Sequence, residues 1–280
     1  MNVSLFLTGS NSKLLSGELA TLLSGRYVSF RIAPFSFSEV IKLKNIEDKA
    51  LMEDAFNDYL LWGGMPQRFE FKTLEGTKTY LSDVFDAIVL KDIVKRNSVK
   101  NVNLFQRVME YLVTNPSQTF SPNNMMNEFA KENIPISSKT VYECLDYAET
   151  SFLMSKISTY DIRGKRILSR KDKYYLTDLG LGQILNVNKK TQFGAYLENV
   201  VYNELIYRGY NVSVGNNNGK EIDFIATKHN QKEYYQVTFD LSNKETEERE
   251  FGAYANILDN YPKYVLSLDK LDYSQNGIIH

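Results

Sequence analysis

Residues 193–239 read FGAYLENVVYNELIYRGYNVSVGNNNGKEIDFIATKHNQKEYYQVTF, and their rhythm decides the fold of the last third of the chain. The apolar spacing predicts a helix over Phe193–Arg208, closed by Gly209, because glycine enters the left-handed conformation that ends helices without a Cβ penalty. Three strands are expected next, Tyr210–Val214, Glu221–Ala226 and Glu233–Phe239, then a charged helix, Asn243–Leu258, and a last strand, Tyr264–Leu268. Helix, three strands, helix, strand is the order of a compact α/β module. Side chains two apart on a strand share a face, so Glu221 stands with Asp223 and Gln236 with Thr238, while Glu198 comes from the helix before them. Carboxylates gathered in this way suit a divalent cation and an attacking water. Glu198 and Asp223 are the candidate metal ligands.

Upstream, the rhythm changes. Leu104–Val113 reads as a short helix, Ser121-Pro122 opens a second, and Ser137-Ser138 caps a third, Lys139–Thr150. A strand pair, Leu153–Tyr160 and Lys165–Leu176, completes a winged helix-turn-helix pattern. Arg163, Lys165 and Arg166 sit at its hairpin tip, and Arg170, Lys171 and Lys173 on the return strand, the densest basic cluster in the chain. Phosphate neutralisation by such residues supplies most non-specific DNA affinity, and helix-start residues reach base edges. Lys139, Thr140, Arg163, Lys165, Arg166 and Arg170 are therefore the candidate DNA contacts, against which Glu143, Asp146 and Glu149 on the same helix would repel phosphate. A protein-contact role is the other reading of the module.

Further upstream, helices are expected over Ile46–Leu61, stopped by Gly63-Gly64-Met65-Pro66, and over Thr77–Lys95. A buried strand at Ser4–Leu7, a helix over Lys13–Ser24 and a strand at Tyr27–Ile32 precede them. Such an apolar first strand needs neighbours on both sides, which leads to the expectation that the chain is part of a longer protein. Hydrophobic residues are 43% and charged residues 24% of the 280, with 33 basic against 34 acidic side chains, so no global charge draws the protein to nucleic acid or membrane. One cysteine, two histidines and no long apolar run exclude a disulfide and a conventional zinc site and point to the cytoplasm, away from membranes. Oligomeric state is not legible.

The stretches TGSNSKLL (residues 8–15) and SGRY (24–27) resemble the sensor segment of bacterial and archaeal AAA+-type ATPases that carry a C-terminal domain of unknown function. The resemblance continues through GGMP (63–66), KDIVKR (91–96), YYLTDLGLG (174–182), YLENVVYNELIYRGY (196–210), EIDFI (221–225) and YYQV (234–237). It implies an α/β multi-domain chain: a C-terminal remnant of the AAA+ core at 1–35, a helical lid at 36–100, the winged helix-turn-helix at 101–186 and a restriction-endonuclease-like domain at 187–280. It also implies that Ser10 or Asn11 senses the γ-phosphate and that Arg26 is an arginine finger, with ATP and Mg²⁺ bound by the intact parent. No G-x-x-x-x-G-K-[ST] occurs in the chain, so it has no phosphate cradle of its own and is expected to hold no cofactor by itself. In the nuclease-like domain, Gln236 stands where an acid is expected and Thr238 where a lysine is expected. The expectation is a nuclease-like scaffold in the C-terminal part of an ATP-binding protein. The alternative is a metal-dependent nuclease with a divalent ion at Asp223.

Overall fold

A computed structural model describes residues 6–9, 27–185 and 193–280, the side chains of 90–92 and 169–171 apart. Ser10, Asn11, Arg26 and the helix expected over 13–24 lie outside the described residues. Tyr27–Ile32, expected as a strand, pairs with no strand among the described residues, and Val28, Phe30 and Ile32 are largely exposed.

The first described helix, α1 (Phe37–Leu43), begins with a capping box in which the Ser36 hydroxyl accepts from the Glu39 amide and Glu39 accepts from the Ser36 amide. Helix α2 (Lys49–Trp62) starts at Asp48, whose carboxylate accepts from the amides of Ala50 and Leu51. Helix α3 (Leu74–Asp86) is capped by Thr73, and its turns widen over Ala87–Val94 before it closes at Asn97. Then come α4 (Val102–Val113), α5 (Pro122–Lys131) and α6 (Ser138–Thr150), capped by Asn101, Ser121 and Ser137.

The hairpin β1 (Met154–Asp161) and β2 (Arg166–Leu176) follows. The short segment between α4 and α5 joins its outer edge: the Ser117 amide donates to the Tyr174 carbonyl, Phe120 to Asp172, and Thr119 bridges Lys173. A short turn of helix, α7 (Gly180–Gln183), and α8 (Phe193–Tyr207) lead to β3 (Asn211–Asn217), β4 (Lys220–Lys228) and β5 (Gln231–Val237), then α9 (Lys244–Gly252) and β6 (Lys263–Leu266).

All six strands form one mixed sheet in the order β2-β1-β3-β4-β5-β6. The hairpin is not a free wing, because β1 pairs in parallel with β3, Thr159 opposite Val214. The sheet therefore takes strands both from residues 154–176 and from residues 211–266. One core joins the helices to a sheet face through Leu60, Phe85, Met109, Leu145, Tyr175, Tyr202 and Phe224. The opposite face packs Ile222, Tyr234 and Val265 against Phe251 and Tyr254 around α9.

Two glycine-bearing motifs meet at a buried junction. The carboxylate of Asp178, just before α7, accepts from the amides of Gly64 at 2.7 Å and Gly180 at 2.9 Å. Gly63 has φ 71°, and a Cβ there would land on the Asp178 carboxylate, while one at Gly180 would strike the Trp62 carbonyl. The same turn receives the chain from the N-terminal side, since the Phe35 amide donates to the Gly64 carbonyl.

Candidate functional site

Helix α8 is pinned to β2 by Asn199, which is fully buried. Its side-chain oxygen accepts from the Leu176 amide at 2.8 Å and its nitrogen donates to the Leu176 carbonyl at 2.9 Å. That clamp fixes the preceding residue, Glu198, against β2. There the Tyr175 hydroxyl donates to Glu198 Oε1 at 2.6 Å and the Lys173 ammonium donates to the same oxygen at 3.0 Å. Lys173 Nζ also lies 2.5 Å from Glu221 Oε1 of β4. Period-two alternation explains the approach: Lys173 and Tyr175 share the β2 face that α8 covers.

Strand β4 bulges here, for Ser213 opposes Ile225 while Gly215 opposes Ile222, leaving an extra residue on β4 around Asp223. Freed from the regular ladder, Asp223 bonds through side chains. Its Oδ2 accepts from the Val237 amide at 2.8 Å, and its own amide donates to Gln236 Oε1 at 2.7 Å. Gln236 Nε2 passes the chain on to Glu250 Oε2 of α9 at 2.7 Å, and Arg249 covers the other oxygen of Glu250.

Burial first, and then the charge of Glu198, pushes the Asp223 carboxyl well above the usual carboxylate range. Burial likewise raises Glu198, against the pull of Lys173. For Lys173 burial acts downward, yet Glu198, Asp223 and Glu221 together hold the ammonium above its ordinary value, so it stays charged.

Glu198 and Glu221 thus meet at Lys173, and Asp223 and Gln236 are joined by a hydrogen bond. Thr238 does not join them: it lies past the end of β5, and its hydroxyl donates to the Asp240 carbonyl at 3.3 Å. Lys173, placed by its neighbours in the surface basic cluster, is instead 3% exposed and bonds to Glu198 and Glu221. Among the described residues, no group of three His, Cys, Asp or Glu side chains is arranged to hold a metal ion. A divalent ion at Glu198 and Asp223 does not fit the site as it stands.

The expected DNA contacts are dispersed. Lys139 is exposed at the start of α6, 3.9 Å from Glu143, and Thr140 is tied into the Ser137 cap. Arg163, Lys165 and Arg166 are exposed around the hairpin turn, where Lys165 takes φ 47°. Arg170 lies in β2, its side chain outside the description.

Comparison with known proteins gives the wider setting. The family described as an AAA domain matches residues 1–41, covering Ser10, Asn11 and Arg26 and ending within α1. The family described as a domain of unknown function, DUF8612, matches residues 53–192, half of the chain. The chain belongs to the DUF8612 family. An uncharacterized protein of Haemophilus influenzae is 39% identical over 267 residues, 95% of this chain and 66% of that protein. An uncharacterized protein of Methanocaldococcus jannaschii is 29% identical over 285 residues, 98% of this chain and 63% of that protein. The chain thus spans just under two thirds of the length of these curated relatives. No solved structure matches. The DUF8612 match takes in Lys173 and Asp178, whereas Glu198, Glu221 and Asp223 lie beyond it. Among the described residues no helix is long and apolar enough to cross a membrane.

Proposed function

We propose that this chain is the C-terminal portion of an AAA-type ATP-binding protein, in which helices and sheet relay the state of the nucleotide site to a bound partner. The AAA-domain match at 1–41 carries this reading, because it runs without a break into the Ser36 capping box and the Phe35–Gly64 contact at the Asp178 junction. The joint at Phe35, Ser36 and Gly64 is where motion of that segment would be passed to the sheet module. The chain has no phosphate-cradling loop, so it is not itself the ATPase. Helices α4–α6 with the β1–β2 hairpin and the Thr119 bridge have the build of a winged helix, and Arg163, Lys165 and Arg166 at its tip suit DNA phosphate. The test compares nucleotide binding by this chain and by the longer Haemophilus influenzae relative: the relative should bind MgATP and this chain should not. Failure of both to bind removes the ATP-linked reading.

One observation favours a second reading, a metal-dependent nuclease: Lys173 brings to the carboxylates the cation missing at Thr238. Burial weighs against it, since the Lys173 side chain is 4% and that of Glu198 13% exposed, which leaves Glu221 as the acid of the cluster that faces solvent. Incubation with plasmid DNA and Mg²⁺ or Mn²⁺ should give no cleavage. Cleavage abolished by Asp223→Ala would establish the nuclease.

A further inference from the structure

Two carboxylates from two elements meet at one ammonium carried by a third. Glu198 comes from α8 and Glu221 from β4, with Asp223 two residues further along that strand, and Lys173 reaches them from β2, which β1 and β3 separate from β4 in the sheet. The lysine stem is held on both sides, because β2 pairs with β1 through Ile157 and is bridged by Thr119 on its outer edge. The backbone that carries the ammonium is therefore fixed, and Lys173 itself is 3% exposed although Glu221 beside it reaches the surface.

Further hydrogen bonds tie the cluster into the protein. Tyr175 occupies Glu198, the Val237 amide occupies Asp223 Oδ2, and Gln236 bonds to both the Asp223 amide and Glu250. Lys173 is the cation bonded to both Glu198 and Glu221, so without it these two acids would face each other with no positive charge between them.

We propose that Lys173 is a built-in cation that takes the place of a divalent metal in this carboxylate centre and closes the centre to metal. The centre is then a permanent tie between the hairpin, α8 and β4, unaffected by chelators and by the metal supply. This goes beyond the ATP-linked reading and does not depend on it.

The test is Mn²⁺ binding by the full chain, followed by calorimetry and by the electron paramagnetic resonance of free Mn²⁺. The wild-type chain should take up none at about 1 mM, whereas metal sites built from several carboxylates bind far more tightly than that. Lys173→Ala should take up Mn²⁺ at least tenfold more tightly than wild type and gain thermal stability from it, and Asp223→Asn added to that variant should abolish the gain. Wild-type uptake that Asp223→Asn removes would overturn the proposal, and so would a folded Lys173→Ala chain that binds no better than wild type. If Lys173→Ala does not fold in EDTA, refolding rescued by Mn²⁺ supports the proposal and refolding indifferent to Mn²⁺ overturns it. Lys173→Gln, one atom shorter but neutral and able to donate an N–H, should likewise bind Mn²⁺ more tightly than wild type, and a folded Lys173→Gln chain that does not would overturn the proposal.

Discussion

Asp178 is 2% exposed and has two backbone amides, those of Gly64 and Gly180, aimed at its oxygens. Burial outweighs those donors and the nearby Arg68 and raises the carboxyl to about 6, against 3.8 in the unfolded chain. A carboxyl raised on folding stabilises the native state fully below its unfolded value and loses that contribution as pH climbs through the folded one. Asp178 therefore favours the fold most below about pH 4, and its contribution has gone above about pH 7. The difference corresponds to something on the order of 3 kcal/mol. Urea unfolding of wild type and Asp178→Asn between pH 4 and 7.5 checks it: the stability of wild type relative to the variant should fall across that range. A constant difference would mean that the amide donors cancel the effect of burial and leave the Asp178 carboxyl at its unfolded value.

Among the elements, those with local signals were legible. Helices α2 and α4–α6 follow from caps that need only the next few residues, Asp48, Asn101, Ser121 and Ser137. Strands β3 to β6 follow from apolar runs between turns. The union of the hairpin with the rest of the sheet was not legible, because the parallel β1–β3 pairing joins residues far apart and leaves no local trace. Lys173 was missed for a related reason, since lysine among arginines and lysines reads as surface. A signal was present even so: Lys173 alternates with Tyr175 in KYYL, which puts both on one face, and Tyr175 proves fully buried. At the hairpin turn, Arg163, Lys165 and Arg166 are all exposed to an approaching phosphate backbone. Neutralising Lys165 and Arg166 together should weaken duplex DNA binding and flatten its salt dependence by about two in the log–log slope, one for each lost phosphate contact. Affinity measured between about 50 and 200 mM salt with an unchanged slope would take DNA away from the hairpin.

Across the whole molecule the question is how far a local disturbance travels. The helices and the sheet share one core from Leu60 to Val237, the sheet spans residues 154 to 266, and two polar clamps cross it: Asp178 with Gly64, and Lys173 with Glu198 and Glu221. No plane divides the described helices from the sheet without breaking one of these. A structure built in this way unfolds as a unit, so differential scanning calorimetry should give one transition in which the calorimetric and van't Hoff enthalpies agree. Lys173→Met should lower that transition as a whole, since removing one partner of a buried charge cluster costs about 3–5 kcal/mol and strands the acids left behind. A chain of independent lid, winged-helix and nuclease-like domains predicts something different, a shift in one of several resolved transitions while the others stay in place. Two transitions, with only the later elements responding to Lys173→Met, would break the relay on which the ATP-linked reading depends, because motion at the N-terminal segment would then stop at a domain boundary.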